Sequence, residues 1–196
     1  MKNLLLALLI AAPQDRLPPL KREQLSEAQR AAAVQFAATR GKEPFGPFIP
    51  LLRSPALMTA AAAMGDHLRF HSSLPPAVRE LAILVVCRDW TQQYEWSVHE
   101  KLALEAGVGR ELIMAIADGR RPYGATEELE TALSLVTEIL AHKRVSDPTW
   151  RRAVQQFGES GAVDLLGLAG YYSFLGAVLN GAQTPAPEGA PLKPFP

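Results

Sequence analysis

The seven consecutive apolar residues at positions 81–87 (LAILVVC) constrain the fold most, because they leave no polar face for water. An element over this run must be buried on both faces. Pro75 and Pro76 precede it, and proline suits the first turn of a helix, so we predict a buried helix that starts there. Glu80 lies just before the run and beyond that first turn. Helix capping therefore explains this carboxylate only in part. A structural salt bridge, for example to Arg88, and a catalytic or binding role are equally reasonable explanations.

A second helix is predicted over residues 90–106, ending at Gly107. Gln92, Glu95 and His99 are spaced three and four apart, which places them on one face of that helix. Such a Glu/His pair is usually a helix-surface pair, but here apolar residues continue the same face, which favours burial. Buried carboxylates and imidazoles are costly unless they are paired or functional. The predicted catalytic residues are Glu80, Glu95 and His99, and the predicted substrate-binding residues are Gln92, Tyr94 and Trp96.

The rest of the chain reads as helices separated by proline and glycine, which predicts an all-α fold. Ser26, Thr126 and Ser146 are predicted to cap helices, and Gly158 is predicted to separate the last two. No segment alternates apolar and polar residues as a half-buried strand does. Phosphate-binding, dinucleotide-binding, zinc-protease and serine-hydrolase motifs are missing from the sequence. Basic and acidic residues balance at 20 each, which argues against nucleic acid as a partner.

The two ends of the chain differ from the middle. Residues 1–12 combine a basic head with nine apolar residues, which is too short to span a bilayer but typical of a secretory signal. We therefore predict a signal peptide at 1–12, a helical domain at 13–184 and a proline-rich tail at 185–196, with no stable membrane span. Export to the periplasm or medium follows from the signal. The alternative is an apolar arm on a cytoplasmic protein.

Other reactive residue types have simpler interpretations. His67 and His71 are four apart and could join Glu80, Glu95 and His99 in a metal site, but nothing brings the two groups together, so no metal and no cofactor is predicted. The single cysteine, Cys87, excludes an intrachain disulfide and reads as an inert core thiol. Four arginines could each bind a substrate carboxylate, although the last two are better explained as surface residues: Arg79, Arg88, Arg120 and Arg121.

The stretch LPPAVRELAILVVCRDWTQQYEWSVHEKLALEAGV closely resembles the carboxymuconolactone decarboxylase family, which shares the alkylhydroperoxidase D-like fold. It is most similar to the subgroup with a YEW-x-x-H motif, here residues 94–99. The resemblance spans roughly residues 17–183 and implies a bundle of about seven to eight helices. It also implies a homo-oligomer (dimer, trimer or hexamer) with an active site between helices, often near a subunit interface.

In peroxidase-type members, a glutamate on one helix faces a CxxC and a histidine on the next. Carried over, Glu80 matches the glutamate and His99 the histidine, while Gln92 and Glu95 occupy the two cysteine positions. Neither residue can attack a peroxide or resolve a sulfenic acid. We therefore predict cofactor-independent acid/base chemistry on a small oxygenated acid or lactone: decarboxylation, isomerisation or dehydration. His99 would be the general acid/base, Glu95 its orienting partner and Glu80 a second proton carrier.

Two alternatives remain open from the sequence. One is the alkyl hydroperoxide reductase or peroxiredoxin-type activity of the relatives, which the missing cysteines disfavour. The other is an oligomer that binds a small ligand without turning it over.

Overall fold

The computed structural model describes residues 15–187, and over them the chain forms eight α-helices and no strand. The predicted all-α class is confirmed. The predicted signal peptide and residues 188–196 of the predicted tail lie outside the described residues. The helices are α1 (Glu27–Arg40), α2 (Phe48–Leu51), α3 (Pro55–Asp66), α4 (Pro76–Asp89), α5 (Gln93–Glu105), α6 (Arg110–Ala117), α7 (Glu127–His142) and α8 (Asp147–Ala182).

The predicted capping residues start their helices. The Ser26 hydroxyl accepts a hydrogen bond from the Gln29 amide at 3.2 Å, and the Gln29 side chain accepts one from the Ser26 amide at 2.9 Å. This reciprocal pair is a capping box, which satisfies two amides that a helix start leaves without partners. Thr126 and Ser146 likewise accept hydrogen bonds from the amides of Leu129 and Thr149. These three predicted helix starts are confirmed.

Helix α4 lies at the centre of the fold and packs against α5, α7 and α8. Its apolar run is buried, as predicted, except at Val85, which is half-buried. Because α4 is surrounded, any polar side chain that it carries inward must find a partner within the protein. This is the situation of Glu80.

Helix α8 is the longest element and is broken at Gly158, whose φ of 70° and ψ of 173° are not helical. The predicted separation at this glycine is confirmed, although the chain resumes its helix directly. Gly167 and Gly176 allow close contact, because an added Cβ would lie 2.9 Å from Leu68 and 3.1 Å from Trp90. By length and composition α8 could cross a membrane, but 56% of its most apolar window is buried inside the fold, as in a core helix.

Candidate active site

The turn between α4 and α5 fixes the start of the helix that carries His99. Thr91 adopts a left-handed backbone conformation with φ of 47°. The Gln92 side chain then caps α5 by accepting a hydrogen bond from the Tyr94 amide at 2.6 Å. The same side chain donates to Asn180 of α8 at 2.6 Å, and the Asn180 amide donates to the Trp90 carbonyl at 2.8 Å. Gln92 therefore ties the beginning of α5 to α8.

The imidazole of His99 joins α5 to the carboxylate at the head of the α4 apolar run. His99 Nδ1 lies 2.6 Å from Glu80 Oε2, and the two side chains are 2% and 12% exposed. A carboxylate oxygen accepts, so Nδ1 carries the hydrogen of this bond. Glu80 thus orients the ring and leaves Nε2 as the nitrogen available for chemistry.

Two groups face that second nitrogen. Glu95 Oε2 lies 3.5 Å from His99 Nε2 along the same helix. The Tyr172 hydroxyl, from α8, lies 3.1 Å from Nε2, and its ring stands edge-on to the imidazole at 87°. The sequence led us to expect Glu95 as the orienting partner and Glu80 as the second proton carrier. The geometry favours the opposite assignment, because Glu80 makes the shorter contact and Glu95 shares the cavity side with Nε2.

The surroundings of His99 favour its protonated form. Burial lowers the pKa of His99, but the hydrogen bonds to Glu80 and Glu95, together with their charges, outweigh burial and raise it above the ordinary value. Burial has the opposite consequence for Tyr172, since it raises the pKa of the hydroxyl well above its usual range. Tyr172 therefore keeps its proton and can donate to Nε2 whenever the ring is neutral.

A small cavity of about 40 Å³ opens against this cluster. Its lining includes His99, Glu95, Arg40 and Arg69 together with five aromatic residues. His99 is only 1% exposed, so the cavity excludes bulk water from the imidazole. Electrostatic interactions are strengthened around such a buried group. The aromatic residues of the lining are Phe45, Phe48, Tyr94, Tyr171 and Tyr172.

The structure separates the predicted site residues into two groups. Glu80, Glu95 and His99 come together as predicted, and Tyr94 lines the cavity. Gln92 and Trp96 do not line it. Gln92 is buried and makes the hydrogen bonds that cap α5 and join it to α8. Trp96 is buried in the core, with 1% of its surface exposed.

Four polar or charged cavity residues were not among the predicted site residues: Arg40, Arg69, Tyr171 and Tyr172. Arg40 comes from the end of α1, Arg69 from the π-helical turn His67–His71, and the tyrosines from α8. The pair of tyrosines in the apolar last helix was a usable signal, because buried tyrosines need partners for their hydroxyls. The arginines that the sequence suggested as carboxylate binders do not line this cavity.

Arg40 is held in place by several contacts. Its Nε lies 2.7 Å from Asp66 Oδ1, and its guanidinium carbon lies 5.6 Å from the ring centres of Phe36, Phe48 and Phe70. The Asp66 carboxylate compensates the charge locally, and the rings add cation–π attraction. Arg40 therefore has a structural role at the edge of the cavity.

The described residues give no support for a metal centre. Over residues 15–187, no three or more His, Cys, Asp or Glu side chains are grouped so that they could hold a metal ion. His67 pairs instead with Asp164 of α8 at 3.0 Å. Cys87 is buried, and burial together with the charges of Glu95 and Glu80 raises the pKa of its thiol well above the usual range.

A larger cavity, about 690 Å³, lies elsewhere, between α4, α6 and α7. It is an open groove that Val85 helps to line, and it contains none of the predicted catalytic residues. The smaller cavity is the better candidate site, because an imidazole, a carboxylate and two guanidinium groups converge there.

Comparison with known proteins shows a similarity to one family over part of the chain. A model of the carboxymuconolactone decarboxylase family matches residues 55–138, from the first residue of α3 to most of α7. The match includes Glu80, Glu95 and His99. No curated protein matches the chain. Residues 55–138, which carry the acid/base cluster, are therefore similar to the carboxymuconolactone decarboxylase family.

Proposed function

We propose that the chain is an enzyme that transfers protons at carbon in a small oxygenated acid or lactone, without a cofactor. The reaction class is decarboxylation, isomerisation or dehydration. One observation carries the proposal: a fully buried imidazole is oriented by Glu80 at Nδ1 and faces Glu95 and a cavity at Nε2. Paired carboxylates around one imidazole are suited to general acid/base catalysis.

The proton movements can be followed from this geometry. In the neutral ring, Nε2 accepts a proton from the substrate carbon, and Glu80 stabilises the imidazolium that forms. The electron pair left on carbon is delocalised into the adjacent carbonyl or carboxyl group of the substrate. The imidazolium then returns its proton to another carbon or to a leaving oxygen. Glu95, 3.5 Å from Nε2, can accept the proton in the interval.

Thiol-dependent peroxide reduction has weaker support. The Cys87 thiol is buried on α4, and its raised pKa disfavours the thiolate that attacks a peroxide. The non-catalytic alternative predicts that the chain binds a small ligand but does not convert it. A direct assay of proton transfer distinguishes this alternative from the proposal.

The experiment is solvent exchange. The purified chain is incubated in D₂O with a panel of small carboxylic acids and lactones, and deuterium in recovered substrate or product is measured by mass spectrometry. We expect carbon-bound deuterium with wild type, a loss of about a hundredfold or more in His99→Gln, and no loss in His142→Gln, an exposed histidine. Equal incorporation in wild type and His99→Gln would refute proton transfer by this imidazole.

Assembly and location remain predictions. A homo-oligomer is expected from the family resemblance, and sedimentation of the purified chain measures it. Export is expected from residues 1–12, and the N-terminal sequence of material recovered outside the cytoplasm tests it.

A further inference from the structure

The guanidinium of Arg69 lies at the cavity without a counter-charge of its own. Its Nε is buried, and among residues 15–187 it has no hydrogen-bond partner. No carboxylate of the described chain lies within ion-pairing distance of Arg69, whereas Arg40, Arg120 and Arg121 each have such a partner. A buried polar group without a partner is costly. Within the described residues, the group that would satisfy Arg69 is therefore missing.

The surroundings of Arg69 hold the group in a defined place. Arg69 belongs to the π-helical turn His67–His71, which continues α3 and closes with a hydrogen bond from the Ser72 amide to the His67 carbonyl at 2.8 Å. π-helical turns occur frequently at functional sites. The guanidinium carbon lies 5.0 Å from the ring centre of Phe70, which orients the planar group. Arg69 thus presents a half-buried cation whose place is set by the turn and by the Phe70 ring.

The position of Arg69 relates it to the acid/base residues. It lines the same cavity as Glu95, His99 and Tyr172. Burial raises the pKa of the Tyr172 hydroxyl, and the positive charge of Arg69 lowers it in part. The two groups therefore interact electrostatically. Tyr172 is in turn 3.1 Å from His99 Nε2. A ligand oxygen on Arg69 would therefore place the neighbouring carbon of the same molecule toward the imidazole.

We propose that Arg69 is the substrate-anchoring residue of this site, and that it binds the carboxylate of a small carboxylic acid whose reacting carbon lies against Glu95 and His99. The inference rests on the proposed function and narrows it, because it selects an anionic acid over a neutral lactone. A planar guanidinium matches a carboxylate with two parallel hydrogen bonds, which a lysine cannot reproduce. The cavity of about 40 Å³ admits only a small group, which suits a carboxylate head.

Acetate and its neutral analogue acetamide test the anchor in the full chain. The ring signals of the four histidines are followed by NMR during titration, and the His99 signals are identified by their loss in His99→Gln. We expect acetate to shift the His99 signals saturably and acetamide not to. Arg69→Gln should raise the acetate Kd about tenfold or more, the loss typical of a charged hydrogen bond.

The matched control is Arg79→Gln. Arg79 also has a buried Nε, but its guanidinium donates to the Leu74 carbonyl at 2.5 Å and does not line the cavity. We expect acetate binding in this variant to equal that of wild type. Arg69→Lys, which keeps the charge, should fall between wild type and Arg69→Gln, and it serves if the glutamine variant does not fold.

Three results would overturn the inference: equal shifts with acetate and acetamide, unchanged acetate binding in Arg69→Gln, or the same loss in Arg79→Gln. These results are distinct from failure of the proposed function. Arg69-dependent acetate binding without any deuterium exchange would leave the anchor standing and refute the enzyme. The opposite result is deuterium exchange that depends on His99 together with acetate binding that does not depend on Arg69. It would leave the enzyme standing and refute the anchor.

Discussion

The hydrogen bond between Glu80 and His99 predicts that Glu80→Gln weakens the fold mainly at low pH. The Nδ1 to Oε2 distance is 2.6 Å, and the side chains are 2% and 12% exposed, so water screens the pair poorly. Glutamine keeps the length and an accepting oxygen, but it removes the negative charge. The imidazolium loses its nearest counter-charge while its burial is unchanged. The pKa of His99 should therefore fall in the variant.

The sign of the pH dependence follows from the wild-type shift. Burial lowers the pKa of His99, but Glu80 and Glu95 outweigh it and raise the pKa above its ordinary value of 6.5. The folded chain therefore binds this proton more tightly than the unfolded chain does. The resulting stabilisation is fully present below pH 6.5 and is lost as the pH rises through the raised pKa. Glu80→Gln removes most of it, so wild type and variant should differ most below that pH.

The magnitude can be estimated from the pair. Removing one partner of a buried ion pair costs about 3–5 kcal/mol, and Glu95 retains part of the attraction, so we expect a loss of about 2–3 kcal/mol at about pH 5.5. At about pH 9 the variant only exchanges a carboxylate acceptor for an amide oxygen in one hydrogen bond, which we expect to cost about 1 kcal/mol. For a chain of this length the midpoint Tm shifts by about 2–4 °C per kcal/mol, which gives a drop of about 4–12 °C at the lower pH and about 2–4 °C at the higher.

Calorimetry of wild type and Glu80→Gln at both pH values measures this difference. Glu105→Gln, at an exposed glutamate of the same α5 that carries His99, controls for loss of a charge and should leave the Tm nearly unchanged at both. An equal drop at the two pH values, or a larger drop at high pH, would show that Glu80 does not hold the proton on His99. The assignment of Nε2 as the reacting nitrogen would then lose its basis.

Two further substitutions examine the cavity wall and the thiol. Gly46 has a φ of 54°, and an added Cβ would lie 2.7 Å from the Tyr94 ring, whereas Gly41, with a φ of 69°, has no atom within 4 Å of that position. Both alanine variants incur the left-handed backbone cost, but Gly46→Ala should lose about 1–3 kcal/mol more in urea unfolding, because it also overpacks the wall; equal losses would contradict the contact. The Cys87 thiol should react with a disulfide reagent about a hundredfold more slowly in the native chain than in denaturant, because reaction needs local opening. Cys87→Ala should leave peroxide consumption unchanged, and abolished consumption would restore the peroxidase alternative.

Local sequence patterns predicted the fold well because they describe interactions between near neighbours. Helix starts at Ser26, Thr126 and Ser146 depend on side chains that bond amides three residues away, and the break at Gly158 depends on one backbone conformation. The exception in the buried run is Val85. Its half-buried side chain helps to line the open groove, whose existence depends on how α6 and α7 are placed.

The candidate site was predictable to the extent that it is local. The spacing of Glu95 and His99 places the two side chains on one helix face, and this contact is observed at 3.5 Å. The contact with Glu80 joins residues 19 apart, and the family resemblance rather than the spacing indicated it. Without the distances, the roles of the two carboxylates could not be assigned. A sequence pattern shows which residues share a helix face. It does not show which nitrogen of the His99 ring each carboxylate contacts.

The residues that line the cavity could not be predicted from local sequence patterns, because they come from segments far apart in the chain. Tyr172 lies 73 residues from His99, and Arg40 lies outside the segment that the family matches, as do Phe45 and Phe48. The matched segment supplies the acid/base cluster and Arg69, while much of the surface that a substrate would touch is built from the remainder. The matched segment therefore carries the residues to which we assign proton transfer, whereas much of the proposed substrate contact surface lies outside it. For this reason Arg69 is the most informative residue to test, since it lies in the matched segment and lines the cavity to which we assign substrate binding.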